Sequence, residues 1–221
     1  MRIRSNSRIL VAVLMAVGAL AQADPAAESN EAYRFEVSVG GRALGVHAVD
    51  IQRTDHGSQV TSRTNLKYRL AFVTLFRYEH ESVELWRDGC LGRLTSQTND
   101  NGKRYAVTTQ AGSNPLLLER SNPTGSSERR AEPCPSTFAY WDPKLLDKGT
   151  LINAQTGDSE AVVLEDRGIE RIDGEALRHR LLKPANGEAI HLWHRESDGR
   201  WRRLASETDR GTLLYLALDG D

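Results

Sequence analysis

The chain has no excess of charge of either sign. Its 221 residues carry 29 Lys and Arg against 30 Asp and Glu, a net charge of −1, which excludes a nucleic-acid binder held by bulk positive charge. Long apolar runs are also missing. The run Ile9 to Leu20 falls well short of the about 20 residues that cross a bilayer as a helix. Cysteine is scarce, with only Cys90 and Cys134, and no Cys or Asp pair completes a tetrahedral metal site at a recognisable spacing. No G-x-S-x-G elbow, G-x-x-x-x-G-K-S/T loop, G-x-G-x-x-G turn or H-E-x-x-H helix occurs, so no cofactor is expected. No internal repeat points to a propeller or solenoid.

What is present reads as one globular domain. Hydrophobic residues make up 39% and charged residues 27%, too apolar and too balanced for disorder. A chain of about 200 residues buries about 70% of its unfolded surface, enough for a single core.

The first residues read as an address. Arg2, Arg4 and Arg8 precede the apolar run, and Ala21-Gln22-Ala23 supplies the small residues of a signal-peptidase site. This predicts a cleaved Sec-type signal peptide over residues 1–23, cut after Ala23, then a flexible stretch over 24–31 and a periplasmic mature protein. No cysteine lies at the cut, so no lipoprotein is expected, and no adjacent Arg-Arg pair marks a twin-arginine signal. In an oxidising compartment Cys90 and Cys134 are expected to pair. Closing a loop of about 45 residues would stabilise the fold by roughly 4 kcal/mol on the chain-entropy model.

From residue 32 onward the dominant signal is period-two alternation cut by turn dipeptides. Phe35, Val37 and Val39 alternate with Glu36 and Ser38, and Gly40-Gly41 turns the chain. Asp88-Gly89, Asp173-Gly174, Asn186-Gly187 and Asp198-Gly199 each read as a type I′ hairpin turn, with a longer one at Asn99-Asp100-Asn101-Gly102. The expected fold is all-β. An antiparallel up-and-down meander of about 11–12 strands curls into a curved sheet or half-barrel, because a flat sheet of that size leaves long exposed edges. Residues 32–221 then form a single β domain, interrupted by a long loop at 119–136 that holds Pro123, Pro133 and Pro135. One short helix is expected near 143–147, where Asp142 caps and Pro143 takes the first helical position. It would plug one end of the curved sheet.

The run Phe76 to Trp86 is the richest in chemistry. As a strand it places Phe76, Tyr78, His80, Ser82, Glu84 and Trp86 on one face. His80 and Glu84 stand four residues apart along it, too far to bond without a third group. The face reads as the polar wall of a pocket, or as a hydrogen-bonded polar cluster within a β core. His179, His191 and His194 raise the question of a metal. His191 and His194 fall on opposite faces of a strand, and His179, between Leu177 and Leu181, reads as an inward, satisfied histidine, so no metal site is expected.

The block Tyr78-Glu79-His80-Glu81-Ser82-x-Glu84-x-Trp86 is followed by the turn Asn99 to Tyr105. Phe138-Ala139-Tyr140-Trp141-Asp142-Pro143 and Leu151-Ile152-Asn153-x-Gln155-Thr156-Gly157 come after it. In that order these blocks resemble an uncharacterised family of exported, β-rich bacterial proteins known only as a domain of unknown function, from about Phe35 to Leu218. The resemblance implies a β-rich fold and export, and brings no catalytic residues with it.

Together these features lead to an exported, non-enzymatic binder of an apolar ligand, a lipid or acyl chain, inside the curved sheet. Phe72, Phe76, Tyr78, Trp86, Tyr140, Trp141 and Trp193 would line the cavity, with Tyr78, His80, Glu84, Trp86, Tyr140 and Trp141 as the candidate ligand-binding set. The 119–136 loop and Phe138–Trp141 would act as a lid. The alternatives are an envelope enzyme, hydrolase-like, using His80 and Glu84, and a module that adds a strand to a partner through an open edge.

Overall fold

The structure, a computed structural model, describes residues 29–70, 73–110, 113 and 115–218. The expected signal peptide over 1–23 lies outside the described residues, as do positions 24–28 and Phe72. The all-β expectation holds, with fourteen antiparallel strands among the described residues in one open, curved sheet. They are β1 (Ser29–Val39), β2 (Arg42–Thr54), β3 (Gly57–Leu70), β4 (Val73–Arg87), β5 (Cys90–Asp100), β6 (Lys103–Thr109), β7 (Leu117–Asn122) and β8 (Gly125–Arg130), then β9 (Thr150–Ile152), β10 (Ser159–Ile172), β11 (Glu175–Pro184), β12 (Ile190–Arg195), β13 (Trp201–Ser206) and β14 (Leu213–Ala217). Among the described residues a single helix, α1 (Pro143–Leu146), lies between β8 and β9. No helix among the described residues is long and apolar enough to cross a membrane.

The strand count corrects the sequence reading, and so does the stretch 119–136. That stretch holds most of the β7–β8 hairpin, turned at Asn122 to Gly125. Every residue of β8 is exposed, so neither of its faces carries an apolar alternation to read. β9 has only three residues, too few to show a period. At the start, Ser29 to Glu31 already pair with Ile51 to Arg53 of β2, so the frayed start does not extend to residue 31.

Turn chemistry explains the tight hairpins. Asp88-Gly89, Asn101-Gly102 and Asp173-Gly174 have positive φ at both positions, as a type I′ turn requires. Asn186-Gly187 and Asp198-Gly199 differ from expectation, since only their glycines have positive φ. At the latter, Arg195 N–H bonds Arg200 C=O and Gly199 N–H bonds Arg195 C=O, both at 2.8 Å, which closes a longer loop.

The meander is not continuous in space. The sheet order runs from β8 back to β1, across to β14, and down to β9. The first and last described strands pair at its middle, Phe35 against Ala217 and Val39 against Leu213, while β8 and β9 are the two edges. The chain between them, residues 131–149, crosses the interior side and is tied at every step. Ala131 N–H bonds Leu116 C=O at 2.8 Å, Leu91 N–H bonds Pro135 C=O at 2.8 Å, and Ile152 N–H bonds Ser136 C=O at 2.7 Å. The Cys90–Cys134 disulfide fastens the same segment to the start of β5.

The crossing leads into α1, where Asp142 caps by accepting from Lys144 N–H at 3.0 Å. Leu145 and Leu146 are buried in the cluster that holds Ile51, Val60, Trp86 and Leu91. The helix therefore fills the end of the sheet where the β4–β5 turn lies.

Candidate functional site

The inner face of β2 to β5 is set by register. One cross-strand row reads His47, Thr64, His80, Thr98. The next reads Val49, Ser62, Ser82, Ser96, and the one after Ile51, Val60, Glu84, Leu94. Period-two alternation thus gathers hydroxyls, imidazoles and a carboxyl onto one wall. Facing it are aromatic rings from elsewhere. Tyr140 lies 5.6 Å from Trp201, ring centre to centre, while Phe35, 4.2 Å from Trp201, extends the first row as the cross-strand partner of His47.

Between the two walls lies a cavity of about 1100 Å³. It is bounded at its far rim by the turn residues Gly40, Asn101, Gly187 and Arg210, at the end away from α1. Of the six candidate ligand-binding residues, Tyr78, His80, Glu84, Tyr140 and Trp141 line it. Trp86 does not. It is buried beneath the wall, where its indole N–H donates to Glu84 Oε2 at 2.9 Å and its ring meets Trp141 edge-on at 6.0 Å.

The two imidazoles and the carboxyl on the wall are held separately. His80 Nδ1 lies 2.8 Å from Thr98 Oγ1, and His47 Nδ1 lies 2.7 Å from Thr64 Oγ1. Glu84 Oε2 also accepts from Thr137 Oγ1 at 3.2 Å. No hydrogen bond joins His80 to Glu84 among the described residues, in keeping with their spacing along the strand. Burial sets the charge states. Desolvation pushes His47 and His80 down to about 4, with His80 adding to the effect at His47. Desolvation raises Glu84 to about 7, against the opposing pull of the Trp86 and Thr137 hydrogen bonds. Burial also raises the Tyr78 and Tyr140 phenols, and that of Tyr215 to about 12. The imidazoles and phenols of the wall are therefore uncharged donors and acceptors near neutral pH, and Glu84 is the one wall group whose proton is in play there.

Two expectations are corrected. Trp193 does not line the cavity. It pairs with His179 and Arg203 on the opposite face, its ring stacked 4.6 Å from that of His179. His179 is buried and satisfied as expected, by Glu170 Oε1 at 2.7 Å and His191 Nδ1 at 2.9 Å, but it faces outward rather than inward. The stacked rings of Trp193 and His191 cover that outer patch, which is why it reads as core in the sequence. His194 turns the other way, with Nε2 2.8 Å from Tyr140 C=O, so the three histidines do not converge.

Residues 35–218 match the domain of unknown function DUF6134. The chain belongs to this family. No curated protein matches it. Among solved structures it is similar to a beta-barrel-like protein of the domain of unknown function DUF1849 from Brucella abortus. That match has a TM-score of 0.58 and 11% sequence identity, over 85% of this chain and 94% of that one. At that identity the likeness shows the fold alone.

The sequence reading missed three residues of the DUF6134 cavity. His47 carries the same inward signal as Val49 and Ile51, two and four positions on, and was within reach of the period-two rule. Trp201 and Tyr215 come from β13 and β14, and only the β14–β1 pairing brings them to this wall.

Proposed function

We propose that this DUF6134 protein is exported to the periplasm and there binds an apolar ligand, a lipid or acyl chain, in the cavity of its curved sheet, without catalysis. The observation that carries the reading is the cavity itself. About 1100 Å³ stands between the polar wall and the aromatic one, in a cleft open at its rim, on an inner face that side chains would otherwise fill. Ligand pockets span about 300–1,000 Å³, so the space suits a long chain. Export is supported by the Arg-rich start with its apolar run and by the Cys90–Cys134 disulfide, since such bonds persist in oxidising compartments. The separate hydrogen-bond partners of His80 and Glu84 weigh against the hydrolase alternative.

The test is native mass spectrometry of the protein purified from the cell envelope, with N-terminal sequencing and a lipid extract of the same sample. A mature chain beginning at Asp24 and carrying an adduct of lipid mass is the expected result. A chain that keeps residues 1–23 overturns the export reading. A clean apoprotein mass, unchanged after incubation with envelope lipids, overturns the binding reading.

A further inference from the structure

The cavity wall carries more information than its volume. His47 and His80 sit two strands apart in one cross-strand row, so their backbones are about 10 Å from each other. Both make the same bond, Nδ1 to a threonine hydroxyl on the next strand. With Nδ1 engaged, each ring has only its Nε2 edge left, and neither Nε2 bonds any other described residue. Both rings line the cavity. His47 is enclosed by Phe35, Trp201 and Tyr215, at ring distances of 6.1, 5.9 and 5.4 Å, and His80 stacks on Tyr78 at 6.4 Å.

Among the described residues, the deep part of the cavity holds no lysine or arginine. The cationic lining residues, Arg42 and Arg210, stand at the rim, and Arg42 is already bonded to the Tyr68 hydroxyl and lies over its ring. The same lining includes the carboxylates of Asp100, Glu160, Glu188, Glu207 and Asp209. An anionic headgroup would therefore lose its hydration at depth without a counter-charge, and at the rim would meet more carboxylates than guanidiniums. Burying an unpaired charge costs far more than burying a hydrogen-bonded neutral group.

We propose that the His47–Thr64–His80–Thr98 row is a recognition element for an uncharged hydroxyl or carbonyl group, so that the ligand is a neutral amphiphile and not a fatty-acid anion. This rests on the cavity-binding reading above and names the ligand class for it. The burial that keeps both imidazoles uncharged fits the proposal, since a neutral ring with Nδ1 bonded still offers one donor or acceptor at Nε2.

The experiment is displacement of Nile red, a neutral apolar dye, from the mature protein at pH 7.5. The competitors are three chain-matched compounds below their micellar concentrations: monoolein, oleate and oleylamine. The expected result is dye uptake and displacement by monoolein at least tenfold more potent than by either charged compound. That preference should collapse about tenfold in His80→Phe and His47→Phe while the dye still binds, and return in part in His80→Gln. Where a Phe variant fails to fold, judged by its circular dichroism, Thr98→Val removes the tether and keeps the ring, and it should lose part of the same preference. Oleate or oleylamine matching monoolein overturns this inference and leaves the cavity-binding reading standing. Preference for monoolein unchanged in every variant overturns the role of the row. No dye uptake and no displacement by any compound overturns both.

Discussion

Glu84 accepts the indole N–H of Trp86 at 2.9 Å, a bond between residues two apart on one strand and hence on one face. It ties a buried carboxyl in the cavity wall to a ring packed against the end that α1 fills. Burial lifts this carboxyl from an ordinary value of 4.5 to about 7. Below 4.5 both folded and unfolded chains hold the proton. Between 4.5 and about 7 only the folded chain does, so the stability contributed by this group is lost as pH rises through that window. The difference amounts to at most about 3 kcal/mol. Glu84→Gln should therefore gain stability relative to wild type as pH rises from 4.5 to 7.5, read from urea unfolding midpoints. A difference that stays flat with pH contradicts this.

The buried histidines slope the other way. His47, His80 and His194 are pushed from 6.5 down to about 4 by desolvation. Their contribution is present above 6.5 and is lost as pH falls towards 4. Imidazole NMR titrations should show these three rings still uncharged at pH 5.5. Any one of them titrating near 6.5 would refute the burial argument for that ring.

The Cys90–Cys134 bridge spans a sequence separation of 44. Replacing both cysteines by serine should cost about 4 kcal/mol on the chain-entropy model. The loss should show as a lower urea midpoint, matched by adding reductant to the wild-type protein. A loss below about 1 kcal/mol would mean that the backbone bonds of residues 131–136 hold the crossing segment without the bridge.

Gly57 opens β3 with φ +131, and a Cβ there would stand 2.0 Å from the Trp86 carbonyl oxygen on β4. Backbone cannot yield as a side-chain tip does, so Gly57→Ala should cost at least about 2 kcal/mol. Gly125, also at positive φ but with nothing within 4 Å of an added Cβ, supplies the control. Gly125→Ala should cost markedly less, and equal losses at the two sites would contradict the steric account.

Much of the candidate site was legible before the fold was known. The alternation from Phe76 to Glu84 placed five of these side chains on the cavity wall, because a strand leaves its residues no choice but to alternate. The Asp142-Pro143 pair placed the helix, since capping is local. The β7–β8 hairpin was not legible. Its second strand is exposed on both faces, and without a buried face the apolar period that marks a strand is absent. His179 and Trp193 misled for the opposite reason, since their apolar neighbours mark a buried patch without saying on which side of the sheet it lies.

By itself, the sequence determined an all-β chain, its Asp88-Gly89 and Asp173-Gly174 turns, its capped helix, and which residues share a face on the strands that alternate. These are local matters of φ/ψ preference and period. Only the tertiary structure decided that β1 pairs with β14, that residues 131–149 cross between the two edges, and that His47, His80, Trp201 and Tyr215 meet around one cavity. Those depend on contacts between strands far apart in the chain, where closing the sheet and burying its inner face select one pairing among many that the local pattern allows.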